Sequence, residues 1–277
     1  MEKTQTRTPG HRLKKTLSWF MMVTIMMMVC AIVVLLYLRS QPLPEASIPQ
    51  TTSIYDANGQ VIDQMHGGEN RRLVSLQDIS PYVIQATLAI EDHRFFSHSG
   101  LDFRGIARAA AVNLANGSKV QGASTLTQQL ARNLYLTHDR TWSRKIKEAI
   151  YTLQLEMQYS KHTILEKYLN EIYYGHAAYG IEAASQLFFD RSASELTLGE
   201  AAMLAGIPKG PLYYSPYLNE TNAYDRQQLV LNAMVEHDMI SPAEAEQARN
   251  EPLTFLPLER NQTSKAPYFR DYIRRKA

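Results

Sequence analysis

Residues 80–100 read SPYVIQATLAIEDHRFFSHSG. Ser80 before Pro81 is an N-cap followed by proline in the first turn, where a missing N–H costs nothing and the ring's φ suits the helix. Val83, Ile84, Leu88 and Ile90 then form an apolar stripe up to Glu91, so the stretch predicts an amphipathic helix. Working outward, similar patterns recur. Asp102 is placed to cap an Ala-rich helix that runs through Asn116 and stops at Gly117. Ser124 caps STLTQQLARNLYL, Thr141 opens a helix to about Tyr159, and Thr163 opens TILEKYLNEIYY, closed by Gly175. AYGIEAASQLFF and TLGEAAMLAG predict short buried helices, and Asn219 to His237 an amphipathic one. Ser241-Pro242 with Glu244 is a capping-box start for the last. Signals for β-structure are few. SIYDANGQVIDQM has two β-leaning runs around Asn58-Gly59, a type I′ hairpin signal, and PLTFLPL reads as a short strand. The fold class is mainly α.

The chain has 277 residues, 45% of them hydrophobic and 20% charged, which excludes disordered, collagen-like and low-complexity classes. Its one cysteine, Cys30, lies in an apolar run, so neither an internal disulfide nor a cysteine-based metal site is available. The formal charge of +2 is uneven: residues 1–16 carry Lys3, Arg7, Arg12, Lys14 and Lys15 against Glu2, leaving residues 40–277 slightly acidic. That argues against nucleic acid as a partner. Residues 17–38, LSWFMMVTIMMMVCAIVVLLYL, hold no strongly charged side chain. At about 1.5 Å per residue they cross a hydrocarbon core of about 30 Å, with Trp19 and Tyr37 at the interfaces. Cations before the run and Arg39 alone after it predict a single-pass anchor with a cytoplasmic N-terminus and an extracytoplasmic body in the plasma membrane. A cleaved signal peptide is the competing reading; the length of the run and the lack of a clean small-x-small site favour the anchor. The expected organisation is a basic tail (1–16), a transmembrane helix (17–38), a Pro-rich stalk (39–52), a mainly helical body (53–255) and a linker-like tail (256–277).

Three places in the body have chemical potential. In EDHRFFSHSG, Glu91 ends a helix, where the macrodipole disfavours a carboxylate; a wall of Phe95 and Phe96 would raise its pKa and poise it as a general base. The plain alternative is a solvated surface acid. Here Asp92 and His98 shape the loop, His98 as a hydrogen-bonder. In GASTLTQQLAR, a helix start behind a glycine loop suits an anion, and Thr125, Gln128, Gln129 and Arg132 share one face. Ordinary capping with solvent-facing glutamines is the alternative. In DRTWSRKIKE, Arg144 and Glu148 are spaced to pair on a helix surface for only a few tenths of a kcal/mol, with Lys145 and Lys147 turned elsewhere. Yet Arg132, Arg140, Arg144 and Lys145 together make a cationic cluster fit for a pyrophosphate.

Taken in order, EDHRFFSHSG, GASTLTQQLARNLY, RKIKEAIYTLQLE, KHTILEKYLNEIYYG with AYGIEAAS, and RQQLVLNAM resemble the peptidoglycan glycosyltransferase domain, glycosyltransferase family 51. That domain occurs in class A penicillin-binding proteins and monofunctional transglycosylases. The resemblance covers roughly residues 52–252. It implies a lysozyme-like, two-lobed helical fold and a membrane-bound bacterial enzyme. The implied substrates are lipid II and the growing lipid-linked glycan strand, joined β-1,4 with inversion and release of undecaprenyl pyrophosphate. Position by position, Glu91 matches the general base and Glu148 the second essential carboxylate, either orienting cations or assisting the leaving group. Arg132, Arg140, Arg144 and Lys145 match the pyrophosphate-stabilising cations. Ser124, Thr127, Gln128 and Gln129 line the implied substrate cleft, with Asp92 and His98 in support. No cofactor is required on this reading, no dedicated metal site is visible, and an optional Mg2+ or other divalent ion would ride on the pyrophosphate.

Phe103 to Val120, with Arg104, Arg108 and Lys119, reads either as a membrane-interface segment or as a plain core helix. The chain lacks the Ser-x-x-Lys and Lys-Thr-Gly signatures expected of a penicillin-binding transpeptidase. APYFRDY near the end is similar to the start of the linker to such a domain, so a truncated bifunctional protein and a natural monofunctional enzyme are both open. Two other functions compete: a lysozyme-like or lytic enzyme that cuts the same polymer, and a non-catalytic scaffold of a cell-wall synthesis complex.

Overall fold

The computed structural model describes residues 9–44, 52–55, 61–65, 70–117, 122–137, 139 and 141–258. It divides into two units, residues 1–43 and 44–277. The first contains one helix, α1 (Pro9–Ser40), of which Leu17–Ser40 is long and apolar enough to cross a membrane, with a mean hydropathy of 2.7. The helix therefore continues past Leu38 to the start of the expected stalk.

In the second unit, β1 (Thr52–Tyr55) pairs antiparallel with β2 (Val61–Met65), with a register shift at Ile54/Tyr55. The two β-leaning runs thus form the expected ladder, while the Asn58-Gly59 turn lies outside the described residues. A second pair has no signal in the sequence: β3 (Asn70–Arg71) lies parallel to β4 (Ala178–Tyr179). Two residues a side are too few to show alternation. Instead, Arg71 pairs with Glu171 at 2.6 Å, and the Asn170 side chain brackets Val74.

The helices of this unit are α2 (Pro81–Glu91), α3 (Phe103–Ala115), α4 (Leu126–Tyr135), α5 (Trp142–Gln158) and α6 (Lys161–Glu171). They continue with α7 (Ile181–Phe189), α8 (Leu198–Gly206), α9 (Glu220–Glu236) and α10 (Pro242–Arg249). Local capping explains most boundaries. Thr197 with Glu200 and Ser241 with Glu244 form reciprocal capping boxes. Three expected boundaries are corrected. The cap of α4 is Thr125, boxed with Gln128, because Thr125 and not Ser124 lies three residues before a glutamine able to reach back. The cap of α6 is Ser160, whose hydroxyl accepts the Thr163 N–H at 3.2 Å, and the helix ends at Glu171, short of Gly175. PLTFLPL forms no strand: Leu256 N–H donates to the Phe188 carbonyl at 2.9 Å, and Phe255 packs on Phe189.

One core joins α2, α8, α9 and α10 through Ala86, Ala89, Ala202, Ala205, Val230, Leu231 and Met234. Alanines on α2 and α8 let their backbones approach, which fixes where the C-terminus of α2 ends. A second group, Leu126, Leu130, Leu155, Ile164, Leu165 and Leu169, is fully buried along α4, α5 and α6. In contrast, α3 buries only Gly105 and Ala109 and leaves Phe103, Ile106 and Leu114 exposed. It is not a core helix.

Candidate active site

Glu91 is the final residue of α2, and its side chain is only 15% exposed. Gln129, on α4, donates from Nε2 to Glu91 Oε2 at 2.8 Å. The Tyr168 hydroxyl donates to Gln129 Oε1 at 3.3 Å, which fixes the amide's orientation. Across from these, Arg226 Nη2 lies 3.7 Å from Glu91 Oε1, an ion-pair distance outside hydrogen-bonding reach. Burial pushes the Glu91 carboxyl above its ordinary pKa; Gln129, Arg226 and Lys209 pull the other way, and Asp92 adds to the rise. Burial and the Glu91 charge also raise the hydroxyls of Tyr168 and Tyr174. The expected aromatic wall is corrected here: Phe96 is exposed, and the buried Phe95 ring packs on Phe96 and His98 beneath the Lys161 ammonium.

The loop after Glu91 is strapped to α4. Asp92, buried, takes His98 Nε2 at 3.0 and 3.1 Å and the Leu126 N–H at 3.0 Å. Because the Gly100 N–H donates to His98 Nδ1 at 3.1 Å, the ring proton sits on Nε2 and points at Asp92. A carboxylate at the first turn of α4 also meets the positive end of that helix. The Thr125 hydroxyl donates to the Gly100 carbonyl at 2.6 Å. Gly100 itself has φ of 85°, and a Cβ there would fall 2.7 Å from Thr152 Cγ2. Gly100→Ala is therefore expected to destabilise the fold by about 2 kcal/mol or more, read from chemical unfolding of the body.

Glu148, on α5, is the second acid expected in the site. It is 1% exposed, takes Arg144 Nη1 at 2.5 Å on Oε2, and pairs through Oε1 with Lys145. The pair with Arg144 is thus not a surface contact, and Lys145 turns toward Glu148. The Lys145 ammonium also donates to Ser124 Oγ at 3.2 Å. Nε of Arg144 is buried with no hydrogen-bond partner among the described residues.

Glu91, Asp92, His93, Arg108 and the 122–125 segment line one open cleft. Ser124 ties the two acids together: it lines the cleft beside Glu91 and takes a hydrogen bond from the lysine that pairs with Glu148. Glu91, Asp92, Ser124, Gln129, Lys145, Arg144 and Glu148 are therefore linked through one site, with His98 behind Asp92. Arg132, on α4, is near enough to Tyr168 to act on its hydroxyl. Thr127 and Gln128 are corrected. Thr127 is fully buried and donates to Glu156 at 2.6 Å, while Gln128 is buried and its Oε1 accepts the Thr125 N–H at 3.0 Å. They build the cleft wall from behind and do not line it. Arg140 lies outside the described residues. Sequence reading missed Arg226, Lys209, Tyr168 and Tyr174 around Glu91. Arg226 opens RQQLVLNAM, and a charged residue on the buried face of α9 was its one available signal.

A protein-family model described as Transglycosylase matches residues 58–235. The chain belongs to the transglycosylase family. Its relatives within that family are class A penicillin-binding proteins. The transglycosylase chain is 51% identical over 239 residues to penicillin-binding protein 2D of Bacillus subtilis (strain 168), covering 86% of itself and 35% of that protein. It is 44% identical over 226 residues to penicillin-binding protein 1A of Aquifex aeolicus (strain VF5), covering 82% of itself and 31% of that protein. The chain spans about a third of the length of these relatives. Among solved structures, penicillin-binding protein 1A from Haemophilus influenzae aligns with a TM-score of 0.44 and 24% identity, over 84% of this chain and 24% of that one.

Proposed function

We propose that this transglycosylase polymerises lipid II into β-1,4-linked glycan strands, inverting the anomeric centre and releasing undecaprenyl pyrophosphate. One observation carries the reading. A largely buried carboxylate, held on one oxygen by Gln129, lines the same cleft as the serine that ties it to a second, cation-paired carboxylate.

The acceptor's GlcNAc C4 hydroxyl has a pKa far above neutrality and needs a base within hydrogen-bond reach. Glu91 Oε1 takes that proton while O4 forms its bond to C1 of the donor MurNAc. On the opposite face of that sugar the bond from C1 to the pyrophosphate oxygen breaks, which inverts the centre. The leaving group departs with developing negative charge toward Arg144 and Lys145, whose positions Glu148 fixes. Arg132 and Arg140 join that cationic group in the proposal. Because both oxygens of Glu148 are taken by cations, it serves to orient them. It does not fit a resident metal ion, and an optional Mg2+ would travel with the pyrophosphate.

A polyprenyl substrate stays in the bilayer, which accounts for an apolar N-terminal helix acting as an anchor with the body outside. The outward Phe103, Ile106 and Leu114 of α3, flanked by Arg104 and Arg108, suit contact with the interface. Charged replacements at Ile106 and Leu114 are expected to weaken liposome binding by the anchor-deleted body about tenfold or more, as loss of two inserted apolar side chains requires. Unchanged co-sedimentation would oppose this placement. Product analysis tests the function itself: labelled lipid II gives polymer, whereas a glycan-cutting enzyme would give shortened fragments from sacculi.

A further inference from the structure

The two carboxylates of the site, Glu91 and Glu148, are treated in opposite ways. Glu148 is captured on both oxygens by cations in direct contact. Glu91 is held by a neutral amide on Oε2, while its neighbouring guanidinium is kept at 3.7 Å from Oε1. Arg226 is buried on α9, and three features restrain it. Its Nε donates toward the Gly206 carbonyl at 3.5 Å, its guanidinium lies 5.6 Å from the centre of the Tyr214 ring, and its stem runs over Gly206. A Cβ at position 206 would come within 2.8 Å of Arg226 Cγ, so the glycine provides the room in which the arginine lies.

We propose that Arg226 is a positioning residue for Glu91: a buried cation, seated by Gly206 and Tyr214, that compensates the carboxylate's charge without occupying the oxygen that must accept the substrate proton. This deepens the glycosyltransferase reading and rests on it. A buried carboxylate with no cation nearby is harder to deprotonate, and one in a close bidentate pair would be a poor base. Standing just outside hydrogen-bond range avoids both. The other charged groups that act on Glu91 are Asp92 on the same segment and Lys209 after α8; the Glu91 charge acts in turn on Tyr168 and Tyr174, with Arg132 also acting on Tyr168. Arg226 is the buried cation that lies 3.7 Å from the carboxylate.

The test is the pH–rate profile of lipid II polymerisation by full-length Arg226→Gln, Arg226→Lys and Gly206→Ala beside wild type. Glu91 must be deprotonated to act, so its acid limb marks the pH at which the base loses its proton. Arg226→Gln is expected to move that limb upward by on the order of one pH unit, with much of the rate recovered at higher pH. Arg226→Lys, which keeps the charge, is expected to move it less. Gly206→Ala leaves the charge but shifts the stem, and is expected to alter the limb as well. A limb unmoved in Arg226→Gln, or a rate lowered equally at every pH, would overturn the proposal, as would a limb unmoved in Gly206→Ala should Arg226→Gln not fold. A wild-type protein that makes no polymer would instead overturn the underlying function.

Discussion

Glu91→Gln is expected to slow polymerisation of lipid II by on the order of 10² or more while the protein stays folded. Glutamine keeps the shape of the side chain and can still face Gln129, but it cannot take the acceptor's proton. The pH dependence follows from the same burial. The wild-type rate should climb with pH through the raised pKa of Glu91 and so fall away on the acid side above the usual carboxylate range. Stability runs the other way. With a folded-state pKa above the unfolded one, the stabilising contribution of Glu91 is full at acid pH, below the unfolded value, and is lost as pH rises through the folded value. Glu91→Gln should therefore melt at or above the wild-type temperature at pH 8, and that advantage should shrink toward pH 4.5. Thermal scans at the two pH values, beside initial rates, check both parts. A variant that is dead because it is unfolded would fail this prediction, as would one that retains full rate.

The second large effect is at Glu148. Glu148→Gln removes the acid from between Arg144 and Lys145 and leaves a nearly inaccessible site with two cations and no counter-charge. Breaking a buried pair in this way costs about 3 kcal/mol, near the low end of its range because Lys145 is 40% exposed and partly screened by solvent. Here activity and stability should fall together: polymerisation by on the order of 10², and the unfolding midpoint in denaturant toward lower concentration. Restoring the trio's original net charge with Lys145→Met in the Glu148→Gln background should recover part of the stability and none of the activity. Recovery of activity in step with stability in the double variant would mean that Glu148 is only a structural counter-charge.

How much of this was legible in the sequence depends on the range of the interaction. Caps and stripes are local, so α2, α5, α8, α9 and α10 could be read nearly to the residue. Where two candidates for a cap lay side by side, as with Ser124 and Thr125, the choice turned on which could reach a glutamine three residues later, and the structure selected Thr125. The Arg144–Glu148 pair was legible as spacing but not as burial, because nothing in SRKIKE says which side of α5 meets the core, and Lys145, expected to point elsewhere, pairs with the same acid. Thr127 and Gln128 illustrate the converse: polar residues in a cleft motif that are buried and bonded inward. Arg226 is 135 positions from Glu91, and only the packing of α2 on α8 and α9 brings the two together. The β3–β4 pair was invisible because two residues a side carry no period.

The most direct test of the central claim, that one site joins a base with an open oxygen to a captured acid for the two halves of one displacement, is a structure with a non-reactive lipid II analogue bound. The expected result places the acceptor's C4 oxygen about 2.6–3.2 Å from Glu91 Oε1 and the donor's pyrophosphate against Arg144 and Lys145, with Glu148 still paired. A sugar hydroxyl seated on another group, or a pyrophosphate bound away from those two cations, would contradict it.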